Sequence, residues 1–218
     1  MNCTNACSVI KSYRFFLFLQ KKIRMRYNLS EVTAIIRDRR TIYPEQYSTR
    51  KIHKEQIELL LNNAIWAPTH GLTQPWRFIV FQDNALNELS EALGNTYLTE
   101  IPKEKQVDSK LGKLMSHPKL ASAVIAIILH REEDTRISEE DDFAAISCAV
   151  QNMHLTATAQ GIGGFWSTPG ILKFESFNQF LGLEKGQRCV GLFYLGYPAI
   201  EWPKGQRKPI EYLTEWKQ

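Results

Sequence analysis

The sequence predicts a mixed protein of helices and strands with a buried central sheet. Three apolar runs rich in β-branched and aromatic residues, at 76–81, 122–129 and 188–197, have the length and composition of strands. Apolar residues recur at three- and four-residue intervals over 54–65 and 139–160, as on the buried face of a helix. The 218 residues suffice for one domain with a full core, or at most two small ones.

Composition excludes several classes of function. The apolar content of 44% and charged content of 23% are those of a soluble globular protein. The net charge is +4, and part of it falls within residues 1–26, so the remainder carries no basic footprint for nucleic acid. Four cysteines show neither zinc-site spacing nor a disulfide framework, so we predict no metal site and a reduced, cytoplasmic setting. Cys148 and Cys189 are predicted to be small buried hydrophobic residues.

Residues 1–24 differ from the rest of the chain and are predicted to be a disordered N-terminal extension. The apolar run Phe15–Leu19 is flanked by basic residues, but it lacks a small-residue cleavage site and is too short to span a membrane. A non-native upstream start, with Met25 as the natural one, is the leading interpretation, and a membrane-surface anchor is the alternative. Residues 25–218 are predicted to be the single functional domain.

A cluster of arginines follows the first predicted helix. That helix begins at Asn28 or Ser30 as its N-cap and ends in Arg37-Asp-Arg-Arg-Thr41. Arginines in this position commonly cap the helix C-terminus and interact with its dipole. Guanidinium groups beside a threonine hydroxyl also suit a phosphate, which accepts paired hydrogen bonds from arginine. The residues alone leave both interpretations open.

A polar loop separates the helix at 54–65 from the first strand. Pro68 is expected to stop the helix, and Trp76–Phe81 is predicted to be an interior strand. The loop between them is dense in hydrogen-bonding groups, namely Thr69, His70, Thr73 and Gln74. Such a loop is either an ordinary surface turn or a ligand site presented by a rigid scaffold.

The middle of the chain predicts further elements of the same domain. A helix is predicted over 83–93, followed at 94–118 by a lysine-rich excursion over the surface, mobile or helical, in which Pro102 and Pro118 act as breakers. Residues 122–129 form a strand buried on both faces. The helix at 139–160 has one side of unusually small residues, which suits a central helix packed against a second subunit.

A glycine-rich segment and a basic tail complete the candidate site. Gly161–Gly170 contains glycines that allow a planar ligand to approach the backbone, together with the hydroxyls of Ser167 and Thr168. The segment lacks the spacing and the following helix of a dinucleotide-binding fingerprint. Arg207 and Lys208 place two cations in the polar tail.

In combination, these residues resemble FMN-dependent nitroreductases. The resemblance covers roughly residues 29–216, and His70 makes it closest to the small, histidine-containing subgroup. The matching motifs in chain order are Arg39-Arg-Thr41, Ala67-Pro-Thr-His70 followed by Gln74-Pro-Trp-Arg-Phe78, Gly161-x-Gly-Gly-x-Trp166, Tyr194-Leu-Gly-Tyr-Pro198 and Arg207-Lys-Pro209.

The resemblance implies an α+β, nitroreductase-like fold, with a mixed, mainly antiparallel central sheet surrounded by helices. It implies a homodimer with FMN at the interface. Arginine side chains would hold the FMN phosphate, with a threonine at the phosphate and ribityl chain, and the histidine would reach the flavin from the partner subunit. The cofactor-binding residues implied are Arg39, Arg40, Thr41, His70, Gln74, Gly164, Trp166, Ser167, Thr168, Arg207 and Lys208.

The resemblance also implies a ping-pong reaction. NADH or NADPH would pass hydride to the flavin, and a nitroaromatic, quinone or similar small acceptor would then take the reducing equivalents at the same face. No catalytic side chain is indispensable in this scheme, although His70 could assist as an acid. Where close relatives carry a basic residue after the tryptophan, this chain has Ser167–Gly170, so the contact there is expected to come from the backbone.

Three alternatives follow from the same residues. An FMN enzyme of this fold could act on another substrate, for example as a dehydrogenase. A flavin-binding or storage protein would bind FMN with little turnover. A plain α+β binding module would have lost the cofactor, and the intact arginine cluster argues against it.

Overall fold

The computed structural model describes residues 27–132 and 136–218. The predicted disordered extension at 1–24, together with Cys3 and Cys7, lies outside the described residues. The chain divides into two compact units, Met1–Ala34 and Ile35–Gln218. In the first unit the described residues begin a helix, where the side-chain oxygen of Asn28 accepts a hydrogen bond from the Ser30 backbone at 3.0 Å, as an N-cap does.

The described residues contain six α-helices and four strands. The sheet order is β1-β2-β4-β3, and every pairing between strands is antiparallel. The predicted α+β class is therefore confirmed. The helices are α1 (Leu29–Asp38), α2 (Lys54–Ala64), α3 (Ala85–Glu100), α4 (Asp108–Leu120), α5 (Glu139–Ala159) and α6 (Glu175–Phe180), and the strands are β1 (Trp76–Gln82), β2 (Ala123–His130), β3 (Gly163–Ser167) and β4 (Gln187–Gly196).

The central strand β2 explains why the core has two halves. All but the last of its residues are buried, as predicted for 122–129. Because side chains alternate along a strand, Ile125 and Ile127 pack with α2 and α5, whereas Val124 and Ile128 pack with α3 and α6. The sheet is therefore covered on both faces, with the predicted long helix α5 on one of them.

The long helix α5 begins with a strong N-terminal signal. The hydroxyl of Ser138 accepts a hydrogen bond from the Asp141 backbone at 3.1 Å, and four acidic residues occupy the first turn. Negative charge there is favoured by the positive end of the helix dipole. In the described part of the chain, no helix is both long and apolar enough to cross a bilayer.

Several sequence-based expectations were wrong. Strand β1 was expected to be interior, but it pairs only with β2 among the described strands and forms one edge. Pro118 was expected to act as a breaker, but it lies within the last turn of α4. Of the two expectations for the lysine-rich excursion, mobile or helical, the helical one is confirmed, since α3 continues to Glu100 and α4 begins at Asp108. Cys148 is exposed, because it lies on a side of α5 away from the sheet. Cys189 is buried as predicted, and burial raises the pKa of its thiol to about 12.

The dependence of the fold on β2 can be tested at Ile127. Its side chain is fully buried in the half of the core formed with α2 and α5. Ile127→Ala removes buried methyl groups and leaves a cavity, so the free energy of unfolding should fall by about 2–5 kcal/mol. The measurement is urea denaturation followed by circular dichroism. The matched control Val80→Ala, at a partly exposed position of β1, should cost under about 1 kcal/mol; equal losses would contradict the assignment of β2 as the core strand.

Candidate functional site

Three arginines from distant parts of the chain come together beyond the end of α1. Arg39 and Arg40 follow the helix, and Arg207 arrives from the tail. Burial lowers the pKa of the Arg39 guanidinium, and the positive charges of Arg207 and then Arg40 lower it further. In the described residues, none of the three forms an ion pair with a carboxylate. Like charges held together raise the free energy unless an anion neutralises them, so this cluster has the properties of an anion site.

Two contacts hold the tail against the end of α1. The Trp202 indole N–H donates a hydrogen bond to the Asp38 carbonyl oxygen at 2.6 Å. Gly205 lies so close to Arg40 that an added Cβ would fall 1.8 Å from a guanidinium nitrogen. A larger residue would therefore displace the arginine. These contacts explain how Arg207 reaches the cluster.

The structure separates the roles of the two adjacent arginines. Nη1 of Arg40 donates to the carbonyl oxygens of Arg37 and Arg39, both at 2.6 Å. Helix capping, one of the two interpretations of the sequence, is therefore correct for Arg40. Its Nε is buried without a hydrogen-bond partner in the structure. Arg39 caps nothing, and its guanidinium remains available to a ligand.

Sequence reasoning missed the residue that holds both arginines, His154 on α5. Nη1 of Arg39 lies 3.3 Å from His154 Nδ1, and His154 Nε2 lies 2.9 Å from the Arg40 carbonyl oxygen. A guanidinium can only donate, so Nδ1 accepts from Arg39 while Nε2 carries the proton and donates to Arg40. The ring also meets Phe193 edge-on at 5.2 Å. The available signal was a histidine within the buried stripe of the longest helix.

The environment of His154 keeps its imidazole neutral. Burial, followed by the positive charge of Arg39, lowers the pKa of His154 to about 4. A protonated ring would lose its acceptor at Nδ1 and face a guanidinium with like charge. Only the neutral form can therefore make both hydrogen bonds to the arginine pair.

Strand β3 begins beside this cluster. Thr41 forms a parallel bridge with Gly164, and the Ile42 N–H donates to the Gly164 carbonyl oxygen at 3.2 Å. An added Cβ on Gly164 would lie 2.7 Å from Phe193 and 3.2 Å from His154. The glycines were expected to admit a planar ligand. At Gly164 the structure instead shows a glycine required by close packing against Phe193 and His154 within the protein. The same position pairs with Thr41 at the start of β3.

Side chains further along β3 point to opposite faces. The Trp166 indole lies over Gly191, where an added Cβ would fall 2.0 Å from Nε1, and its ring is 6.4 Å from Phe143 of α5. Trp166 Nε1 is buried without a hydrogen-bond partner in the structure. Ser167, one residue later, lines a cavity between β3 and α4. Trp166 and Ser167 therefore cannot both present side chains to one face of a ligand, which fits the expected backbone contact at Ser167, whereas Thr168 is exposed just beyond the strand.

The cavity opens along the segments that follow the arginine cluster, although no arginine of the cluster lines it. Two segments run alongside each other from the cluster to the cavity wall, because Thr41 pairs with Gly164 and the Tyr43 ring lies 4.9 Å from that of Phe165. The cavity has a volume of about 1030 Å³. Its lining combines aromatic and aliphatic side chains with three lysines and one buried histidine, and includes Tyr43, Glu45, Lys110, Lys113, Leu114, His117, Phe165, Ser167, Ile171, Lys173, Phe174 and Tyr194.

The polar loop before β1 is fixed to the opposite end of α5. His70 Nδ1 lies 3.2 Å from an Asp141 carboxylate oxygen, and the Thr73 hydroxyl donates to Asp142 at 3.1 Å. The buried Asp142 carboxylate also accepts from Arg131 Nε at 3.0 Å. The hydrogen bond from His70 is the largest of the interactions that lower the pKa of Asp141. Asp142 and Arg131 were not identified from the sequence.

The backbone of this loop is strained. Leu72 and Gln74 have positive φ angles of 57° and 46°, a region that non-glycine residues rarely adopt, and Gly71 adopts 60° between its neighbours. The strained conformation leaves the Leu72 side chain 82% exposed. In the described residues, no hydrogen bond or ion pair joins His70 or Gln74 to the arginine cluster. The predicted site residues therefore form two separate groups within one subunit.

The neutral state of His154 predicts a pH dependence of stability. Its folded-state pKa of about 4 lies below the ordinary value of 6.5, so protons bind the unfolded chain more strongly. This stabilisation is fully present above about pH 6.5 and is lost as the pH falls towards 4, by at most about 3 kcal/mol. His154→Gln should therefore show a shallower fall in unfolding free energy across this window, measured by urea denaturation at several pH values. The exposed-site control His53→Gln should retain the wild-type slope; a wild-type slope in His154→Gln would refute the assignment.

Comparison with known proteins now gives the family. Residues 36–197 match the sequence model of the Nitroreductase family. The Bacillus subtilis (strain 168) protein YfhC, named as a candidate NAD(P)H nitroreductase, is 31% identical over 184 residues, which cover 83% of this chain and 91% of YfhC.

Solved structures agree with the sequence match. A nitroreductase-like family protein from Bacillus cereus is 28% identical, with a TM-score of 0.74 over 89% of this chain and 99% of that one. The Mycobacterium smegmatis protein NfnB, described as an FMN-dependent nitroreductase in complex with NADPH, shares the fold at 17% identity, with a TM-score of 0.67 over 87% of this chain and 99% of NfnB. The motifs, the antiparallel sheet and these matches agree: the chain belongs to the nitroreductase family.

Proposed function

We propose that this protein is an FMN-dependent oxidoreductase that uses NADH or NADPH to reduce nitroaromatic, quinone or similar small electrophilic acceptors. The observation that carries the proposal is the convergence of Arg39, Arg40 and Arg207 with no carboxylate partner in the described residues. A phosphate monoester is an anion of matching charge and hydrogen-bonding geometry. Relatives and structural neighbours described as NAD(P)H or FMN-dependent nitroreductases support the same conclusion.

The residues of the cluster fit the phosphate end of FMN. Arg39 and Arg207 supply guanidinium groups that each keep donors beyond their hydrogen bonds to His154 and to the Gln206 carbonyl oxygen, the exposed Lys208 adds a third cation, and Thr41 supplies a hydroxyl at the start of the path to the cavity. Arg40 shapes the site by capping α1, and its positive charge contributes to the field. His154 orients Arg39 without adding charge. The phosphate would therefore meet positive charges that the protein holds in place before binding.

The cavity fits the ring end of the cofactor. A ribityl chain would follow the paired segments from Thr41 and Gly164 towards Tyr43 and Ser167. Trp166 would contribute its backbone to the ring, because its side chain lies on the α5 face, and Thr168 would lie just beyond. FMN supplies the redox chemistry when bound, accepting hydride from NAD(P)H and passing it to the acceptor. The protein would bind and orient the ring and exclude water with aromatic walls. No side chain is required as an obligatory acid, and His70 could assist.

A homodimer with FMN at its interface is part of the proposal. His70 is tied to Asp141, whereas Arg39 is tied to His154, thirteen residues further along α5. At 1.5 Å per residue these anchors lie about 20 Å apart, so the loop does not reach a phosphate at the cluster of its own subunit. Around the loop, Trp66 and Leu72 are 84% and 82% exposed. Exposed apolar surface of this kind marks an interaction site, and a second copy could bring His70 and Gln74 to the cofactor.

The proposal extends to the domain boundary and the cellular setting. We assign residues 25–218 to the functional domain and 1–24 to an extension without a role in the chemistry. The described Cys148 and Cys189 are free thiols, which suits the reducing cytoplasm.

The first test of function is the visible absorbance spectrum of the purified protein after incubation with FMN, followed by anaerobic NADH or NADPH. A bound-flavin spectrum that bleaches with either donor is expected. Flavin that neither donor bleaches would instead favour a binding or storage protein. If NADH or NADPH bleaches the flavin but no nitroaromatic or quinone reoxidises it, a dehydrogenase acting on another substrate would be favoured. Absence of bound flavin would overturn the proposal.

The role of the cluster can be tested at Arg39. Arg39→Gln removes a charged hydrogen-bond donor while retaining a side chain of similar length, so the Kd for FMN should rise about 10- to 100-fold, with a smaller effect on the Kd for riboflavin, which lacks the phosphate. Fluorescence titration measures both. The control Arg37→Gln removes the same charge from an exposed position two residues away and should change the Kd for FMN by less than about threefold. Equal weakening by both substitutions would contradict a direct contact.

The interface can be tested at Trp66. Trp66→Glu places a charge on the exposed apolar surface, so analytical ultracentrifugation should show a monomer, and FMN retention should fall because part of the site is lost. The control Leu98→Glu alters an exposed apolar residue of α3 and should leave a dimer that binds FMN. A wild-type protein that sediments as a monomer with bound FMN would exclude this part of the proposal.

A further inference from the structure

Three lysines around the cavity bear on the charge of the substrate that it would accept. Lys110 and Lys113 project from α4, and Lys173 from the short helical turn after β3. In the described part of the chain, neither Lys110 nor Lys173 forms an ion pair with a carboxylate. Lysines on a protein surface are usually interspersed with acidic residues. Here they line the same opening of about 1030 Å³.

Among the described residues that line the cavity, Glu45 is the only one with an acidic side chain, and it is already engaged. A Glu45 carboxylate oxygen lies 2.8 Å from His117 Nε2, and His117 is nine-tenths buried between the rings of Phe165 and Tyr194. Burial alone would raise the pKa of Glu45, but the backbone hydrogen bond, the hydrogen bond from His117 and the charge of Lys113 lower it instead. Glu45 is therefore ionised and satisfied, and it does not neutralise Lys110 or Lys173.

The remaining walls of the cavity are largely aromatic and aliphatic. Phe165 and Tyr194 stack with their centroids 5.8 Å apart, and Leu114, Ile171 and Phe174 complete the enclosure. Aromatic walls of this kind suit a planar ligand, while cations at the rim suit a negatively charged substituent on it. The combination differs from a purely apolar pocket, which would favour neutral acceptors.

We propose that the cavity selects acceptors that carry an anionic group, such as a carboxylate or sulfonate, on the aromatic or quinonoid ring that is reduced. This inference rests on the proposed function, because it assigns the substrate class of the same site. Lys110 and Lys173 would attract and orient the anion at the rim, while the ring is held by the apolar walls. Opposite charge at a cleft raises the association rate and suppresses competitors without the anion.

In the proposed reaction, an anionic nitroarene is reduced to the corresponding nitroso compound. NAD(P)H gives a hydride and solvent gives a proton, one N–O bond of the nitro group breaks, and the oxygen leaves as water while NAD(P)H becomes NAD(P)+. The anionic substituent takes no part in this balance. It affects only binding and orientation, so charge selectivity can be separated from reactivity.

The test compares 4-nitrobenzoate with 4-nitrobenzamide, which is neutral and nearly the same shape. At saturating NAD(P)H and low ionic strength, wild-type kcat/KM should be roughly fivefold to tenfold higher for the acid. The advantage should shrink as salt is added, because exposed charges are screened. The double variant Lys110→Gln/Lys173→Gln should lower the ratio of the two kcat/KM values to near one. The control Lys103→Gln/Lys119→Gln removes two exposed lysines of the same region that do not line the cavity and should keep the wild-type ratio.

The outcomes separate this inference from the proposed function. If the protein holds FMN and reduces the amide, but shows no preference for the acid, the inference is wrong and the proposed function stands. A preference that survives in Lys110→Gln/Lys173→Gln, or that disappears equally in the control, would also overturn it. If neither compound is reduced and NAD(P)H does not bleach the flavin, the proposed function itself has failed.

Discussion

The interaction on which the site depends is the pair of hydrogen bonds made by His154. Two adjacent arginines and a third from the tail repel one another, and no carboxylate among the described residues forms an ion pair with them. A carboxylate in place of His154 would have satisfied Arg39 but would have neutralised the site. A neutral imidazole fixes the Arg39 side chain and the Arg40 backbone while leaving the positive field intact. The arginines of the cluster are thus held in place without being neutralised, as the proposed binding of a phosphate requires.

Close packing around β3 converts this cluster into one end of a longer site. Gly164 admits the rings of Phe193 and His154, and this contact brings Thr41 against the strand. From that point the alternation of side chains decides what each residue can do. Trp166 covers the α5 face, whereas Phe165 and Ser167 open to the cavity. The backbone pairing of Thr41 with Gly164 therefore connects the arginine cluster with the cavity wall.

The sequence was informative wherever the signal was local. Periodicity located α2, α5 and the central strand β2, and of the two arginine interpretations helix capping is confirmed for Arg40, while phosphate binding stays a prediction. Features that depend on which residues are neighbours in space could not be predicted from the sequence. A strand of apolar residues does not show whether it lies at an edge, as β1 does. His154 and the cavity arise from elements far apart in the chain, so no short motif contains them.

Helix α5 explains why a site of this kind would require two subunits. Its first turn holds the His70 loop through Asp141 and Asp142, while His154 holds the arginines about three and a half turns further on. One rigid helix therefore keeps the two groups of predicted site residues apart. The strained backbone of Leu72 and Gln74 would be explained if the loop faced a second copy. Burial of the exposed Leu72 side chain in the interface would then offset the free-energy cost of the strain. In that arrangement each subunit would contribute the arginines to one cofactor and the strained loop to the other, so dimerisation would complete both sites at once.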